Sequence, residues 1–522
     1  MKTKILLGIG VLVIIVGGLM LAVSMSPTKK LKDVSVNPSQ KPIVLLVIDS
    51  LMSEQLQEVI KEEKAPAFSY LMDSGQFFPD FISSYPTMSV TIDSTLLTGT
   101  YANEHKVPGL IWFKEDEERM VSYGSGIREM WDNGIKKVAS DSVIHLNESH
   151  LSKDVETVHE ELAHIRISSG SINGLLYRGA YHQELYVPKL LSLVGLLPKE
   201  LKVNGPEVLS LGALSQYNPT NDWNKASWKR MGVNNDFTVK ELTYLIQHNR
   251  LPAFTLAYLP DADAPIHKKG PNDTSGLVKT DQALQEILNG FDSWEKAVEE
   301  VTWIILGDSG QSAVKEEKET ALIDLNVLLK EYTFWEQENK DGQLAIAINE
   351  RMAYVYLKDD KIDIEDVVEI LQEDERIGFI SWKDEETNYV KRSNGEDVFT
   401  FSPEGPYKDQ YKQTWKLDGD ISILDIKLDQ DGSLRYSAYP DALARLNGAL
   451  HSQNGKVIIV DAKPGYEFIE KHSHDHAGGG AHGSLHKSDS VVPLIVVGET
   501  MNPPSNRLVD IKKWIVQMLS PK

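Results

Sequence analysis

The sequence predicts an α/β fold: a mostly parallel sheet flanked by helices. Three observations carry that expectation. The first is a set of short, uninterrupted apolar runs that end in polar residues. Ile43-Val44-Leu45-Leu46-Val47-Ile48 ends in Asp49-Ser50, Phe254 to Leu259 leads into Pro260-Asp261, and Val301 to Leu306 leads into Gly307-Asp308. A fourth run, Val491 to Val497, repeats the format and ends at Gly498. Runs rich in β-branched residues and lacking alternation suit strands buried on both faces, as in parallel sheets. The second observation is helical spacing between the runs, around Met52 to Met72 and Leu277 to Val298. Strands alternating with helices indicate an open α/β sheet. The third is the recurrence of acids at the strand ends: Asp49, Asp261 or Asp263, and Asp308. Ligands of such sheets bind outside the carboxyl ends of the strands.

Composition narrows the chemistry. The 522 residues carry a formal charge of −22 and contain no Cys. Without Cys there is no disulfide scaffold, Cys nucleophile, thiolate zinc site or Cys-linked lipid anchor. A strongly acidic chain repels phosphate and is not a general binder of nucleic acid. An anionic substrate would therefore need a local cation, and a bound metal is the obvious one.

The N-terminus points to a membrane. Lys2 and Lys4 precede an uncharged run from Ile5 to Met25, 21 residues long. As a helix, that length crosses a hydrocarbon core of about 30 Å. It reads as a transmembrane signal anchor over residues 1–25, or as a signal peptide cut after Ala22-Val23-Ser24. Either way the body is expected outside the cytoplasm: on the cell membrane by a single span, or secreted after cleavage. Residues 26–41, with Pro27 and Pro38, form a polar linker. The α/β body is expected over 42–345 with an insertion at about 111–250. An α+β cap follows at 346–470, read as strand (Ala347 to Leu357), helix (Ile364 to Glu373) and strand (Ile377 to Trp382). Residues 471–522 return to the body.

Four motifs carry chemistry. Tyr85-Pro86-Thr87-Met88-Ser89-Val90-Thr91 leads through Leu97-Thr98-Gly99-Thr100 to His105. The spacing predicts a helix from Ser89 to Thr98 with Gly99 as its stop. A hydroxyl at a helix start lies where free N–H groups favour an alkoxide or a bound phosphate. In Asp263-Ala264-Pro265-Ile266-His267, a carboxylate and an imidazole four residues apart can close on one cation, with a donor set suited to Zn²⁺ or Mn²⁺. Asp308-Ser309-Gly310-Gln311 ends its strand. Last comes a His-rich tract, His472, His474, His476, His482 and His486, with His482 in the Gly-rich loop Gly478 to Ser484.

Taken together, these motifs resemble the alkaline phosphatase superfamily, in its type I phosphodiesterase and nucleotide pyrophosphatase branch. The resemblance implies an α/β fold with two divalent metal ions, usually zinc, and a Thr or Ser nucleophile. It rests on Asp49, on Pro86-Thr87-Met88-Ser89 through Thr98-Gly99 and His105, on Asp263, His267, Gly270 and Pro271, and on His482-Gly483. It covers about 42–110, 250–312 and 475–500. Ser89 takes the nucleophile's place. Asp263, His267 and His482 would hold one metal, and Asp49, Ser89 and Asp308 the other.

Two departures matter. Ser309 stands where the branch has a His after the strand-end Asp, leaving oxygen-only ligands that favour Mn²⁺ or Mg²⁺ there. His105 is the candidate to fill that gap. The stretch His105 to Leu110 also lacks an Asn that nucleotide pyrophosphatases use on a phosphate oxygen, which argues against nucleotides. The sulfatase pattern, a modifiable Cys or Ser followed by x-Pro-x-Arg, is absent around Ser89.

The function expected is hydrolysis of a phosphate ester by an extracytoplasmic metal enzyme, as a phosphodiesterase or phosphatase. The alternative is an envelope protein that kept the fold, lost efficient catalysis through Ser309 and serves in binding or scaffolding. Asn147, Asn173 and Arg178 are candidates to contact a leaving group.

Overall fold

In the computed structural model the Ile43–Ile48 run is the central strand of a seven-stranded sheet. The structure describes residues 41–520 except 125–133, 189–191, 194, 196, 199, 338 and 472, together with 27–31, 34 and 36. The expected span Ile5 to Met25, its alternative cleavage point and His472 lie outside the described residues. Among those described, no helix is long and apolar enough to cross a membrane. Part of the 26–41 segment packs on the body, since the Lys29 N–H donates to Gln216 O at 2.8 Å and Val34 is buried.

The sheet runs Gly75–Ile82, Val491–Val497, Thr302–Gly307, Ile43–Ile48, Phe254–Leu259, Ser169–Ile172, Val208–Ser210. Ile43–Ile48 pairs in parallel with Thr302–Gly307 on one side and Phe254–Leu259 on the other. Alternate residues of the run enter different cores: Val44, Leu46 and Ile48 one, Ile43, Leu45 and Val47 the other. That double burial is why the run shows no polar alternation. The register aligns Ile48 with both Gly307 and Leu259, so Asp49 and Asp308 leave their strands at the same level.

The Val491–Val497 strand departs from the expected format. It is antiparallel to Thr302–Gly307 and to Gly75–Ile82. Its start, not its end, therefore lies at the carboxyl edge of the parallel strands, which brings the preceding His482 loop there. The segment 111–250 supplies two strands of the main sheet, Ser169–Ile172 and Val208–Ser210, both parallel to their neighbours.

A second sheet of nine strands lies within 344–462. The expected single strand from Ala347 to Leu357 is two strands, Leu344–Asn349 and Met352–Leu357, folded back at Glu350-Arg351. Both arms are largely buried, so the apolar run continues through the reversal and hides it. The helix Ile364–Gln372 packs Val367, Val368 and Leu371 on one face of this sheet. The helix Ala442–Leu450 covers the other.

Candidate active site

Ser89 opens the helix Ser89–Thr98, which ends at Gly99 in the left-handed region (φ 69°). The capping position belongs to Met88, which makes no side-chain cap. The Ser89 hydroxyl is thus free of capping duty, and it donates to Asp308 Oδ2 at 3.1 Å. Asp308 Oδ1 accepts the N–H groups of Ser50 at 2.9 Å and Ser309 at 2.6 Å. The Tyr258 hydroxyl donates to Asp49 Oδ2. Burial, then the neighbouring Asp308 and Asp263, pushes the Asp49 carboxyl well above the usual carboxylate range. Burial raises Asp308 as well.

Asp263 and His267 lie one turn apart on the helix Asp263–Lys269, with His267 Nε2 3.0 Å from Asp263 Oδ1. Ser50 Oγ and Gln311 Nε2 donate to that oxygen, at 2.8 and 2.7 Å. Burial works to raise Asp263, yet His267 and, behind it, His482 outweigh it and hold the carboxyl down to about 2. Asp261, two residues earlier, serves the fold instead: it accepts the Asn235 N–H at 2.9 Å and pairs with Arg230.

Three imidazoles share one orientation. His267 Nδ1 lies 2.8 Å from Gly480 O, and His482 Nδ1 bonds Thr87 O. A carbonyl only accepts, so both rings carry their proton on Nδ1 and turn Nε2 to the cleft. His476 Nδ1 bonds the buried carboxylate of Glu467 at 2.6 Å, leaving its Nε2 likewise. Donor atoms of Asp263, His267 and His482 lie within 4.8 Å of one another, as do those of His267, Glu350 and His476. The Gly-rich loop permits the approach: a Cβ on Gly479 would stand 1.9 Å from His267 O. At Gly483 (φ 110°) it would stand 2.2 Å from Asn349 O.

The six residues read from the sequence as candidates, Asp49, Ser89, Asp263, His267, Asp308 and His482, thus gather at the carboxyl edge of the sheet. Asp49, Ser89, Asp263, His267 and His482 line a cleft of about 720 Å³ that Leu110, Tyr123, Leu146 and Leu175 also line. His105 does not fill the gap left at Ser309. It is fully buried between Thr95 Oγ1, 3.2 Å from its Nε2, and the Val107 N–H, 3.1 Å from its Nδ1. Asn147, Asn173 and Arg178 serve the fold rather than the cleft. Asn147 Oδ1 accepts the Tyr177 N–H, Asn173 Nδ2 donates to Gly232 O, and Arg178 donates to Glu160 and three carbonyls. His486 caps the short helix Lys487–Ser490.

Sequence reasoning missed Glu350, Tyr258 and Asp93, and it named His476 and Gln311 only as members of their motifs, without a role. Asp93 lies one turn beyond Ser89, fully buried, and burial followed by Asp308 raises its carboxyl to about 8.

The donor set fits divalent metal ions. Imidazole nitrogens with second-side hydrogen bonds, converging with a carboxylate, are the ordinary ligands of Zn²⁺. Asp49, Ser89 and Asp308 offer oxygen alone, which suits harder cations.

A mostly parallel sheet carrying acids and imidazoles at its carboxyl edge, with a hydroxyl at a helix start beside them, defines a hydrolase of the alkaline phosphatase superfamily. The sequence profile of the type I phosphodiesterase / nucleotide pyrophosphatase family matches residues 43–485, and the chain belongs to that family. Murine ectonucleotide pyrophosphatase / phosphodiesterase 5 has a similar structure, with a TM-score of 0.55 at 13% identity over 92% of this chain and 95% of that one. An inactive variant of the murine protein in complex with AMP gives 0.55 at 12% identity over 92% and 95%. Phosphonoacetate hydrolase from Sinorhizobium meliloti 1021, in complex with phosphonoformate, gives 0.54 at 13% identity over 93% and 99%. At these identities the likeness is one of fold. No curated protein sequence matches the chain.

Proposed function

We propose that this member of the family is a metal-dependent phosphate-ester hydrolase that uses Ser89 as its nucleophile outside the cytoplasm. The observation that carries the reading is the Ser89 Oγ to Asp308 Oδ2 hydrogen bond of 3.1 Å, set beside the Asp263, His267 and His482 donors. Asp263, His267 and His482 would hold one divalent ion, Zn²⁺ by donor type, and Asp49, Asp308 and Ser89 a second, Zn²⁺, Mn²⁺ or Mg²⁺. Bound ions would supply positive charge for phosphate oxygens in a chain of net charge −22.

The chain's own groups do the rest. Asp308 Oδ2 holds the Ser89 hydroxyl at the cleft, where an ion on Asp49 and Asp308 would lower that hydroxyl's pKa, and Oγ would displace the ester's leaving oxygen from phosphorus. Tyr258 and the Ser50 N–H fix the two strand-end carboxylates. The group beyond the phosphate would lie against Leu110, Tyr123, Leu146 and Leu175. The uncharged run Ile5 to Met25 supports export with a membrane anchor.

A second reading, a binding or scaffolding protein of reduced activity, draws on Ser309. Its hydroxyl is buried with no hydrogen-bond partner among the described residues, where the family's imidazole is expected. Turnover of bis-p-nitrophenyl phosphate and p-nitrophenyl phosphate with Zn²⁺, Mn²⁺ or Mg²⁺ separates the two. Turnover that Ser89→Ala abolishes supports the enzyme, and no turnover with any ion supports the scaffold.

A further inference from the structure

Glu350 occupies the turn between Leu344–Asn349 and Met352–Leu357, and both neighbours pin it. Asn349 Oδ1 accepts the N–H groups of Leu110 and Ile111 at 2.8 and 3.1 Å, and its Nδ2 donates to Ile111 O at 2.9 Å. Arg351 is fully buried and donates to Asp489, to Ser312 Oγ at 2.8 Å and to Ala462 O at 3.0 Å. Glu350 itself sits in the left-handed region (φ 57°), a conformation that Gly or Asn adopts more easily. A Glu held there by locked neighbours points to a task for its carboxylate.

That carboxylate is divided between two duties. Oε2 accepts the His482 N–H at 2.9 Å. Oε1 faces the cleft, 3.9 Å from His267 Nε2 and 3.9 Å from His482 Nε2. No hydrogen-bond donor among the described residues reaches Oε1. Tetrahedral ligation with bonds of about 2.0–2.1 Å sets donors about 3.3 Å apart. The separations here, 3.0 Å for His267 Nε2 to Asp263 Oδ1 and 3.9 Å for the two Glu350 contacts, straddle that value. His476 stands beside them, its ring 4.4 Å from that of His267, and its donor atom lies within 4.8 Å of those of His267 and Glu350.

We propose that Glu350 is a fourth protein ligand of the ion held by Asp263, His267 and His482. The inference rests on the metal-dependent reading above and adds to it. A second carboxylate adds attraction for a divalent ion beyond what Asp263 supplies, and a phosphate oxygen would enter as a further donor. The ion is held more tightly in consequence, and the chain concentrates its metal affinity on this site while Ser309 weakens the other.

The test is calorimetric titration of the metal-free full chain with Zn²⁺, together with the visible spectrum of the Co²⁺-loaded chain. Wild type is compared with Glu350→Gln, Glu350→Asp and Asp263→Asn. Gln keeps an oxygen for the His482 N–H, and Asp keeps the charge but retracts the donor. Both Glu350 variants are expected to weaken the tight ion by roughly 10–100-fold or more and to shift the Co²⁺ bands. Melting of the metal-free variants is expected to stay at the wild-type value. Unchanged affinity and bands in both, with the ion lost in Asp263→Asn, would overturn the role of Glu350 and leave the proposed function standing. A wild-type chain that binds no ion would overturn both.

Discussion

The Ser89 hydroxyl bonds Asp308 Oδ2 at 3.1 Å across 219 residues of chain. The contact exists because a helix start and a strand end meet at the same edge of the sheet. Removing either partner is expected to lower kcat/KM for bis-p-nitrophenyl phosphate by at least roughly 10³-fold. The two variants differ in what they keep. Ser89→Ala should still bind the ion at Asp263, His267 and His482, whereas Asp308→Asn should also lose affinity at the Asp49 side. Metal stoichiometry measured beside turnover checks both halves.

Ser309→His should restore the imidazole that the family places after the strand-end acid. The Ser309 side chain is buried next to Asp308, and its hydroxyl has no hydrogen-bond partner among the described residues. The expected outcome is a second tightly held ion, read as metal content per chain after dialysis, with higher turnover. An unchanged metal content in a folded variant would count against the Asp49, Ser89 and Asp308 site.

Arg351 and Asp489 form an ion pair in which both side chains are inaccessible to solvent. Asp489 Oδ2 also accepts the Ser484 N–H at 3.0 Å, two residues beyond His482. Arg351→Met leaves that carboxylate buried and unpaired, at a cost of about 3–5 kcal/mol. Urea unfolding should show the loss, and metal affinity should fall with it because the His482 loop is released.

His105, His150 and His159 are buried and held neutral, each pushed down to about 3 chiefly by burial. Their unfolded values lie near 6.5. The unfolded chain therefore binds more protons between those limits, so their contribution is complete above about pH 6.5 and is lost as pH falls toward 3. Neither ring nitrogen of His159 has a hydrogen-bond partner among the described residues. His159→Leu should raise stability at pH 5 more than at pH 7, reducing the pH slope by one proton. Equal gains at both values would refute that assignment.

Much of the main sheet was legible because its strands are buried on both faces, and in the three parallel runs at its centre an acid follows within a few residues. The Asp263 and His267 pair was legible because a four-residue spacing returns to one helix face. Three features were not. Strand direction leaves no mark on an apolar run, so Val491–Val497 read like its parallel neighbours. Tyr258 read as strand filling; only the parallel register, which sets it opposite Val47, brings its hydroxyl to Asp49. Glu350 was hidden inside one expected strand, although the polar triplet Asn349-Glu350-Arg351 was the available sign of a turn.

Rapid quenching of the metal-loaded chain during turnover of bis-p-nitrophenyl phosphate, followed by peptide mass spectrometry, tests the central claim most directly. A covalent nucleophile predicts a p-nitrophenylphosphoryl adduct, formed as one p-nitrophenolate leaves, on the peptide containing Ser89, localised to that residue and absent from Ser89→Ala. An adduct on Thr87 instead, or turnover that persists in Ser89→Ala with no adduct, would contradict it.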